Sequence, residues 1–276
     1  MEELIDLYNS YLSIDKISKM KNISPYKVAQ YLKKNGVNVT RRRCRTPIIS
    51  NFFDVIDTEE KAYFLGLIGA DGSISYNSNG KKVFSIELLT SDIDILNHLS
   101  ILLSGNTNLV KTYERAGRNT TSKIAFSDEV FTSCLEKHGI IKDKSLHYDF
   151  PDIPKNLLKY FIRGYFDGDG SVYLSGKTTK ISFTGSNKFI PKLNSILFNE
   201  GATLREYSIT DRGSFCSIHF GGTIPSKMLY EYLYNESSIF LKRKKEKFES
   251  APYFSNEISA SSKIGEGWDA NTEVSL

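Results

Sequence analysis

The chain has 276 residues, 40% hydrophobic and 25% charged, a length and balance that describe a globular protein with one large core or two smaller ones. No apolar run approaches the roughly 18–20 residues of a bilayer crossing, and the acidic start MEELIDLY lacks the basic opening of a signal peptide, so a cytoplasmic protein with no membrane partner is expected. Three cysteines (Cys44, Cys134, Cys216) form no close pair, which argues against a disulfide framework or a zinc ribbon and for buried thiols.

Charge is uneven along the chain. Residues 1–45 hold ten Lys and Arg against four Asp and Glu, while residues 251–276 hold one Lys against four acids. A basic N-terminal module on a nearly neutral body suits a polyanion, nucleic acid being the commonest, although a solvated Lys-rich face explains the same charges.

In the first 45 residues, EELIDLYNS, SIDKISKMKN and SPYKVAQYLKKNG each carry helical apolar spacing: Leu4, Ile5, Tyr8; Ile14, Ile17, Met20; Val28, Tyr31, Leu32. Ser13 and Ser24 stand as N-caps, Pro25 takes the first helical position, Asn22 suits a left-handed turn, and Gly36 marks the stop. The arrangement resembles the helix-turn-helix of resolvases and small regulators, whose second helix of the pair enters the major groove. The resemblance implies a reading face of Pro25, Tyr26, Lys27, Gln30, Lys33 and Lys34; a three-helix cap on the main domain is the alternative. The linker NVTRRRCRTP is too basic to bury, so Arg41, Arg42 and Arg43 are expected on phosphates.

A duplication follows. DGSISYNSNGKKVFSIELLTSDIDILNHLSILL and DGSVYLSGKTTKISFTGSNKFIPKLNSILF both read strand, turn, strand, helix. NLVKTYER with TSKIAFSDEVFTSCLEKHG is matched by TLREYSIT with FCSIHFGGTIPSKMLYEYLY, and IIKDKS is echoed by FLKRKK. The fold class expected is α+β: two pseudo-symmetric αββαββα halves, residues 46–150 and 151–250, preceded by the small all-α module of residues 1–45. The Ser- and Gly-rich acidic tail, residues 251–276, is expected to be disordered.

Each half opens on a helix with small residues four apart: Ala62, Gly66, Ala70 in AYFLGLIGADG, and Gly164, Gly168 in YFIRGYFDGDG. Residues so spaced share one face, and Gly costs about 1 kcal/mol in a helix interior, so the repeated stripe needs a compensating gain. Close approach of the two helices supplies one. Packed side by side in the same direction, they bring Asp71 and Asp169 together at their C-terminal ends, where the helix dipole and mutual repulsion disfavour acids unless a cation neutralises them. Oxygen ligands at a wet site suit Mg²⁺, and shared divalent ions activate water and stabilise the leaving oxygen of a phosphodiester. Lys144 and Lys244, 100 residues apart, repeat beside them.

FLGLIGADG and IRGYFDGDG resemble the two signature motifs of the LAGLIDADG homing endonucleases in their monomeric, double-motif form, over residues 58–248. The resemblance implies that the motif helices form the interface between halves (Ala62, Gly66, Gly164) and that saddle-shaped sheets track the DNA major groove. It also implies that Asp71 and Asp169 bind two or three catalytic divalent ions, Mg²⁺ with Mn²⁺ as a substitute, assisted by the carbonyls of Ala70 and Gly168. Lys144 and Lys244 map to the peripheral basic residue of each half. The first motif departs from the pattern at Gly69, where the second has Asp167; that position is not the metal ligand. The implied activity is site-specific, metal-dependent hydrolysis of both strands of a long asymmetric target by a monomer without a small-molecule cofactor.

Strand alternation adds DNA-facing candidates. If Phe84, Ile86 and Leu88 face the core, Ser85 and Glu87 point outward, and Ile181 and Phe183 likewise leave Lys180, Ser182 and Thr184 exposed. Lys111, Tyr113, Arg115, Lys123, Arg205, Tyr207 and His219 join them, each alone being as well explained as a solvated strand residue. An EF-hand reading of DGDGSVYLSGKT fails, since Val172 falls where Gly is needed and Thr178 where the bidentate Glu belongs. Four scattered histidines offer no His-based nuclease cluster, and no His-Asn splice junction supports an intein. The remaining rival is a non-cleaving regulator or an RNA-binding intron maturase on the same fold, against which both retained aspartates and both lysines weigh.

Overall fold

The computed structural model describes residues 3–10, 12–39, 46–114, 116–117, 119–175 and 178–251. The expectations for Arg41, Arg42, Arg43, Cys44 and Arg115, and for the tail from residue 252 onward, fall outside the described residues. In chain order the elements are α1 (Glu3–Asn9), α2 (Ile14–Lys21) and α3 (Pro25–Lys34), then α4 (Glu59–Asp71), β1 (Gly72–Tyr76), β2 (Lys82–Leu89), α5 (Ile93–Ser104), β3 (Val110–Tyr113), β4 (Thr121–Phe126) and α6 (Glu129–Lys137). The same order recurs as α7 (Leu158–Asp169), β5 (Gly170–Ser175), β6 (Thr178–Gly185), α8 (Phe189–Asn199), β7 (Ile209–Asp211), β8 (Cys216–Gly221) and α9 (Thr223–Tyr234), with an added α10 (Lys242–Glu249). The fold is α+β with two repeated halves, each built on a four-stranded antiparallel sheet, β1-β2-β4-β3 and β5-β6-β8-β7. No helix among the described residues is long and apolar enough to cross a membrane.

The chain divides into two compact units. One comprises the residues up to Phe52 with Glu87–Phe126; the other comprises Phe53–Ile86 with Ser127 onward, so β2 passes from one to the other.

In the first unit the N-terminal helices begin and end as their sequence dictates. The Ser13 and Ser24 hydroxyls accept from the amides of Lys16 and Lys27, Pro25 opens α3, and Asn22 ends α2 in the left-handed conformation at φ 51°. Leu4, Leu12, Ile17, Val28 and Leu32 form the small core, and Ile5, Ile14, Ile23 and Tyr31 pack on it. Met20, expected on this apolar face, is instead 56% exposed. The reversal at Asn22 brings Ile23 round to the core at the end of α2, its amide bonded to the Ser18 carbonyl at 3.1 Å, and the packing position goes to it. In the sheet part of this unit β3 pairs with β4, placing Lys111 opposite Lys123 and Tyr113 opposite Thr121.

In the second unit the Thr58 hydroxyl caps α4 by accepting from the Lys61 amide at 3.2 Å, with Glu59 and Glu60 in the first turn favoured by the dipole. β5 and β6 pair from Gly170↔Phe183 to Ser175↔Thr178, and β6 and β8 from Lys180↔Gly221 to Gly185↔Cys216. Ile181, Phe183, Ile218 and Phe220 are buried, while Lys180 and His219 face outward on alternate positions, with Ser182 and Thr184 half-buried beside them. The segment TLREYSIT, read as a strand, is strand only from Ile209. The Asn194 side chain grips both backbone groups of Tyr207, donating to its carbonyl at 2.8 Å and accepting from its amide at 3.1 Å. That grip takes the positions a sheet ladder would have used.

Candidate active site

α4 and α7 meet through their glycines. A Cβ added to Gly66 would lie 2.0 Å from the carbonyl oxygen of Phe161, and one added to Gly164 would lie 1.9 Å from that of Tyr63. Backbone therefore touches backbone at both positions, and only Gly fits. Ala62 is fully buried in the same face, and further along a Cβ on Gly168 would lie 2.4 Å from that of Ala70 and 2.9 Å from Asp71 Oδ2. The stripe expected from four-residue spacing is thus the contact surface, and it carries Asp71 and Asp169 to the adjoining ends of the two helices.

Both carboxylates reach solvent, yet protein mass around them is dense enough to desolvate them. Burial, then the charge of Asp169, pushes Asp71 up to about 6 against the pull of Lys144, Lys244 and Arg243. Asp169 is raised by burial and held back by Lys144, by a hydrogen bond from the Tyr165 hydroxyl and by Lys244. The two lysines are nearly buried at 6% and 7% exposure and land on helix ends. Lys144, in a 3-10 turn (Lys144–Leu146), donates to the Ala70 carbonyl at 2.9 Å. Lys244, in α10, donates to the carbonyls of Phe166, at 3.3 Å, and Gly170. Cations there oppose the negative end of each helix dipole. Burial lowers Lys144 against the pull of Asp169 and Asp71. Burial and the neighbouring Arg243 bring Lys244 down to about 8, against the pull of Asp167, Asp71 and Asp169.

Asp167 is not beside this pair. It is fully buried, accepting from the hydroxyls of Tyr63 at 2.7 Å and Tyr234 at 2.6 Å and from the Leu241 amide at 2.7 Å. Those three bonds tie α4, α7, α9 and the residue before α10 together, so Asp167 fixes the start of the helix that carries Lys244. Arg163 reinforces the same region, donating from within the core to the carbonyls of Leu233 and Ile239.

Sequence reasoning missed four tyrosines. Tyr165 donates to the Thr184 carbonyl at 2.9 Å and reaches Asp169; it stands four residues before that acid, a helical spacing that could have found it. Tyr63, Tyr234 and Tyr148 are placed by contacts 67 to 104 residues distant or by packing, and nothing local marks them. A cavity of about 220 Å³ opens beside Asp169, lined by Ala70, Lys144, Tyr148 and Tyr165 among others. Among the described residues no group of three or more His, Cys, Asp or Glu is placed to hold a metal ion.

The residues expected on DNA are dispersed over both units. In the second, Ser85 meets Ser73 hydroxyl to hydroxyl at 3.0 Å, as Ser182 pairs opposite Ser171 in the repeat. Lys180, Ser182, Thr184 and His219 share the outer face of their sheet, and Arg205, Tyr207 and His219 line an open polar hollow of about 420 Å³. In the first, Tyr26, Lys27, Gln30, Lys33 and Lys34 are all exposed on the side of α3 opposite buried Val28 and Leu32, with Gln30 donating to the Tyr26 hydroxyl at 2.9 Å. Lys111 and Tyr113 are exposed, whereas Glu87 and Lys123 pair with each other at 3.4 Å and Glu87 accepts from Thr121 at 2.6 Å.

A family model described as a LAGLIDADG-like domain matches residues 58–139 and 156–219, one segment on each repeat. Among solved structures, the LAGLIDADG meganuclease I-AabMI bound to uncleaved DNA is similar, at 11% identity and a TM-score of 0.48 over 75% of this chain and 98% of that one. I-SmaMI bound to an uncleaved DNA target with calcium ions is similar at 14% identity and a TM-score of 0.45, over 77% and 100% of the two chains. Comparison with curated proteins gives no match.

Proposed function

This chain belongs to the LAGLIDADG-like domain family, and from that premise we propose that it is a site-specific endonuclease that hydrolyses both strands of duplex DNA at the paired ends of α4 and α7. The observation that carries the reading is the placement of Asp71 and Asp169 on two helix C-termini pressed backbone to backbone, each end also holding a buried lysine. Acids there are disfavoured by the dipole, by each other and by desolvation. A protein that keeps both has a use for concentrated negative charge.

The donor set fits a hard divalent cation. It offers only oxygen: the two carboxylates, and the carbonyls of Ala70 and Gly168 in the last turns, where helix carbonyls lack intrahelical donors. Ala70 already receives Lys144 and keeps a second lone pair for an ion. When bound, Mg²⁺ or Mn²⁺ at Asp71 and Asp169 supplies Lewis-acid charge for the scissile phosphate and lowers the pKa of coordinated water.

The chain's own groups do the rest. Asp71 and Asp169 would hold the ions at the adjoining ends of α4 and α7. Lys144 and Lys244, nearly buried and held on main-chain carbonyls, present positive charge at fixed positions toward the negative oxygens of the pentacoordinate phosphorus, where preorganised charge is most effective. Lys244, at about 8, also exchanges a proton with solvent near neutral pH. The Tyr165 hydroxyl beside Asp169 favours its ionised form. The outer sheet faces, with Lys180, Ser182 and His219 on one and Lys111 and Tyr113 on the other, contact the duplex, and the exposed face of α3 adds phosphate contacts and register.

The test is Mg²⁺-dependent conversion of a supercoiled plasmid carrying the insertion site of the gene, for wild type and Asp169→Asn. The expected result is linear product from wild type and none from the variant. Tight DNA binding by wild type without strand cleavage would reject the nuclease in favour of a regulator, and specific binding to a structured intron RNA would favour a maturase.

A further inference from the structure

The far edge of the second sheet is built differently from that of the first. Matching SILL (100–103) to SILF (195–198) sets Asn194 where the first half has Leu99. Leu99 is a fully buried core residue, and the stretch that corresponds to residues 205–208 is the strand β3, Val110–Tyr113. Asn194 is buried as well, and an amide in that place must find partners. It takes both backbone groups of Tyr207, so residues 205–208 leave the ladder and β7 starts only at Ile209. The space that this opens beside β8 is the polar hollow of about 420 Å³, lined by Arg205, Glu206, Tyr207, Thr210 and His219 among others.

The lining is held in place by its neighbours. The Tyr207 ring packs edge-on against Phe220 at 4.7 Å, and the Arg205 guanidinium lies over the Tyr207 ring at 5.2 Å. The Thr203 hydroxyl donates to the Arg205 carbonyl at 3.0 Å, which anchors the backbone beneath. A guanidinium resting on an aromatic ring keeps its N–H edge for another partner. Glu206 accepts from the Ser195 hydroxyl at 2.7 Å through one carboxylate oxygen, and the other oxygen can still accept. Among the described residues no ion pair joins Arg205 and Glu206 to each other or to a third group.

A donor fork and a carboxylate in one hollow suit a base edge better than a phosphate, which Glu206 would repel. In the major groove a G·C pair presents exactly one complement to them: guanine N7 and O6 accept, and the cytosine N4 amino group donates. Adenine offers an acceptor at N7 but a donor at N6, so an A·T pair meets the fork with the wrong pattern. The hollow also lies on the face that the nuclease reading gives to DNA. His219 stands opposite Ser182, and Ser182 opposite Ser171, which is two residues beyond Asp169. Two strand spacings are about 10 Å, so the base pair lies a few steps of about 3.4 Å from the acids.

We propose that Arg205 and Glu206 read one G·C base pair of the target on the side of the second half, with Asn194 and Tyr207 as the residues that position them. This rests on the duplex-binding part of the nuclease reading above. The experiment selects duplexes bound by the wild type in Ca²⁺ from a randomised DNA library, then measures affinity for the selected duplex and its single base-pair variants. The expected result is that Arg205→Ala binds the selected duplex about 10-fold or more weakly and loses its preference at one G·C pair, with the preferences elsewhere unchanged. Arg205→Lys keeps the charge without the fork and should lose the same preference. Asn194→Leu, which copies the first half, should lose it with Arg205 still present. A uniform loss over all duplexes with a shallower salt slope, restored by Arg205→Lys, would mean a phosphate contact and overturn the inference, as would an Arg205→Ala protein with unchanged preferences. A wild type that selects no duplex overturns it together with the DNA reading. Cleavage of the selected duplex in Mg²⁺ is scored separately, so selective binding without cutting rejects the nuclease reading alone.

Discussion

Replacing Gly164 by Ala sets two effects of known size against each other. In an ordinary helix interior Ala is favoured over Gly by about 1 kcal/mol. Here the added Cβ would lie 1.9 Å from the Tyr63 carbonyl oxygen and 2.9 Å from the Leu67 amide nitrogen, both backbone atoms of α4. Ordinary contact needs about 3.5 Å, so the helices must part locally by roughly 1.5 Å, and a gap of even 0.5–1 Å forfeits about a quarter to a half of each dispersion contact across the seam. Overpacking a side chain that can rotate costs roughly 1–3 kcal/mol; two backbones cannot rotate aside, so a net loss of at least about 2 kcal/mol is expected after the propensity gain. Urea or thermal unfolding of the metal-free protein measures it. Because the same displacement moves Asp71 relative to Asp169, cleavage should fall by roughly 100-fold or more. In the double variant with Gly66→Ala the losses should not add, since one separation relieves both contacts. A Gly164→Ala protein as stable as wild type would refute the claim that these helices touch through backbone.

Asp71→Asn removes a repelled, desolvated charge and should raise the metal-free melting temperature while abolishing cleavage, a pairing checked by thermal unfolding in chelator and by plasmid nicking. In the folded protein Asp71 and Asp167 are pushed up to about 6, above the ordinary aspartate value of about 4, so their contribution to stability is fully present below about 4 and is lost as pH rises through about 6. The metal-free urea midpoint should therefore fall between pH 5 and pH 7 (about one proton or more taken up per molecule folded), and Asp167→Asn should flatten part of that slope. Replacing Lys27, Lys33 and Lys34 with Gln should reduce the slope of log affinity against log salt by about 0.9 for each lysine that sits on a phosphate; an unchanged slope would remove α3 from the DNA interface.

What could be read from sequence was whatever local chemistry or repetition encodes. Ser13 and Ser24 cap helices because a short hydroxyl beside a free amide does so in any context. Gly66 and Gly164 were legible as a contact because the same costly residue recurs at the same motif position, and Phe84, Ile86 and Leu88 fell on one face because strand period is two. What escaped depended on distant partners. Asn194 could not be seen to displace a strand at Tyr207, nor Ile23 to take the packing place expected of Met20. Asp167 could be set apart from Asp169 by its missing counterpart, but its ties to Tyr63, Tyr234 and Leu241 exist only once four elements meet.

The departure at Gly69 shows how the halves diverged without losing the shared site. The space beside the motif helix two residues before its last acid is of fixed size, because the glycine contacts set how closely α4 and α7 lie. In the second half that space holds the Asp167 carboxylate, whose three donors come from α4, from α9 and from the approach to α10. In the first it holds the end of Tyr148, which no side chain larger than Gly at position 69 would permit. Neither change is tolerable alone: an acid at 69 would meet the tyrosine, and a glycine at 167 would leave the Tyr63 and Tyr234 hydroxyls and the Leu241 amide without their acceptor. Each arrangement fixes its own lysine, Lys144 through the turn it shares with Tyr148 and Lys244 through the start of α10. Two equivalent acids are thus served by two inequivalent supports.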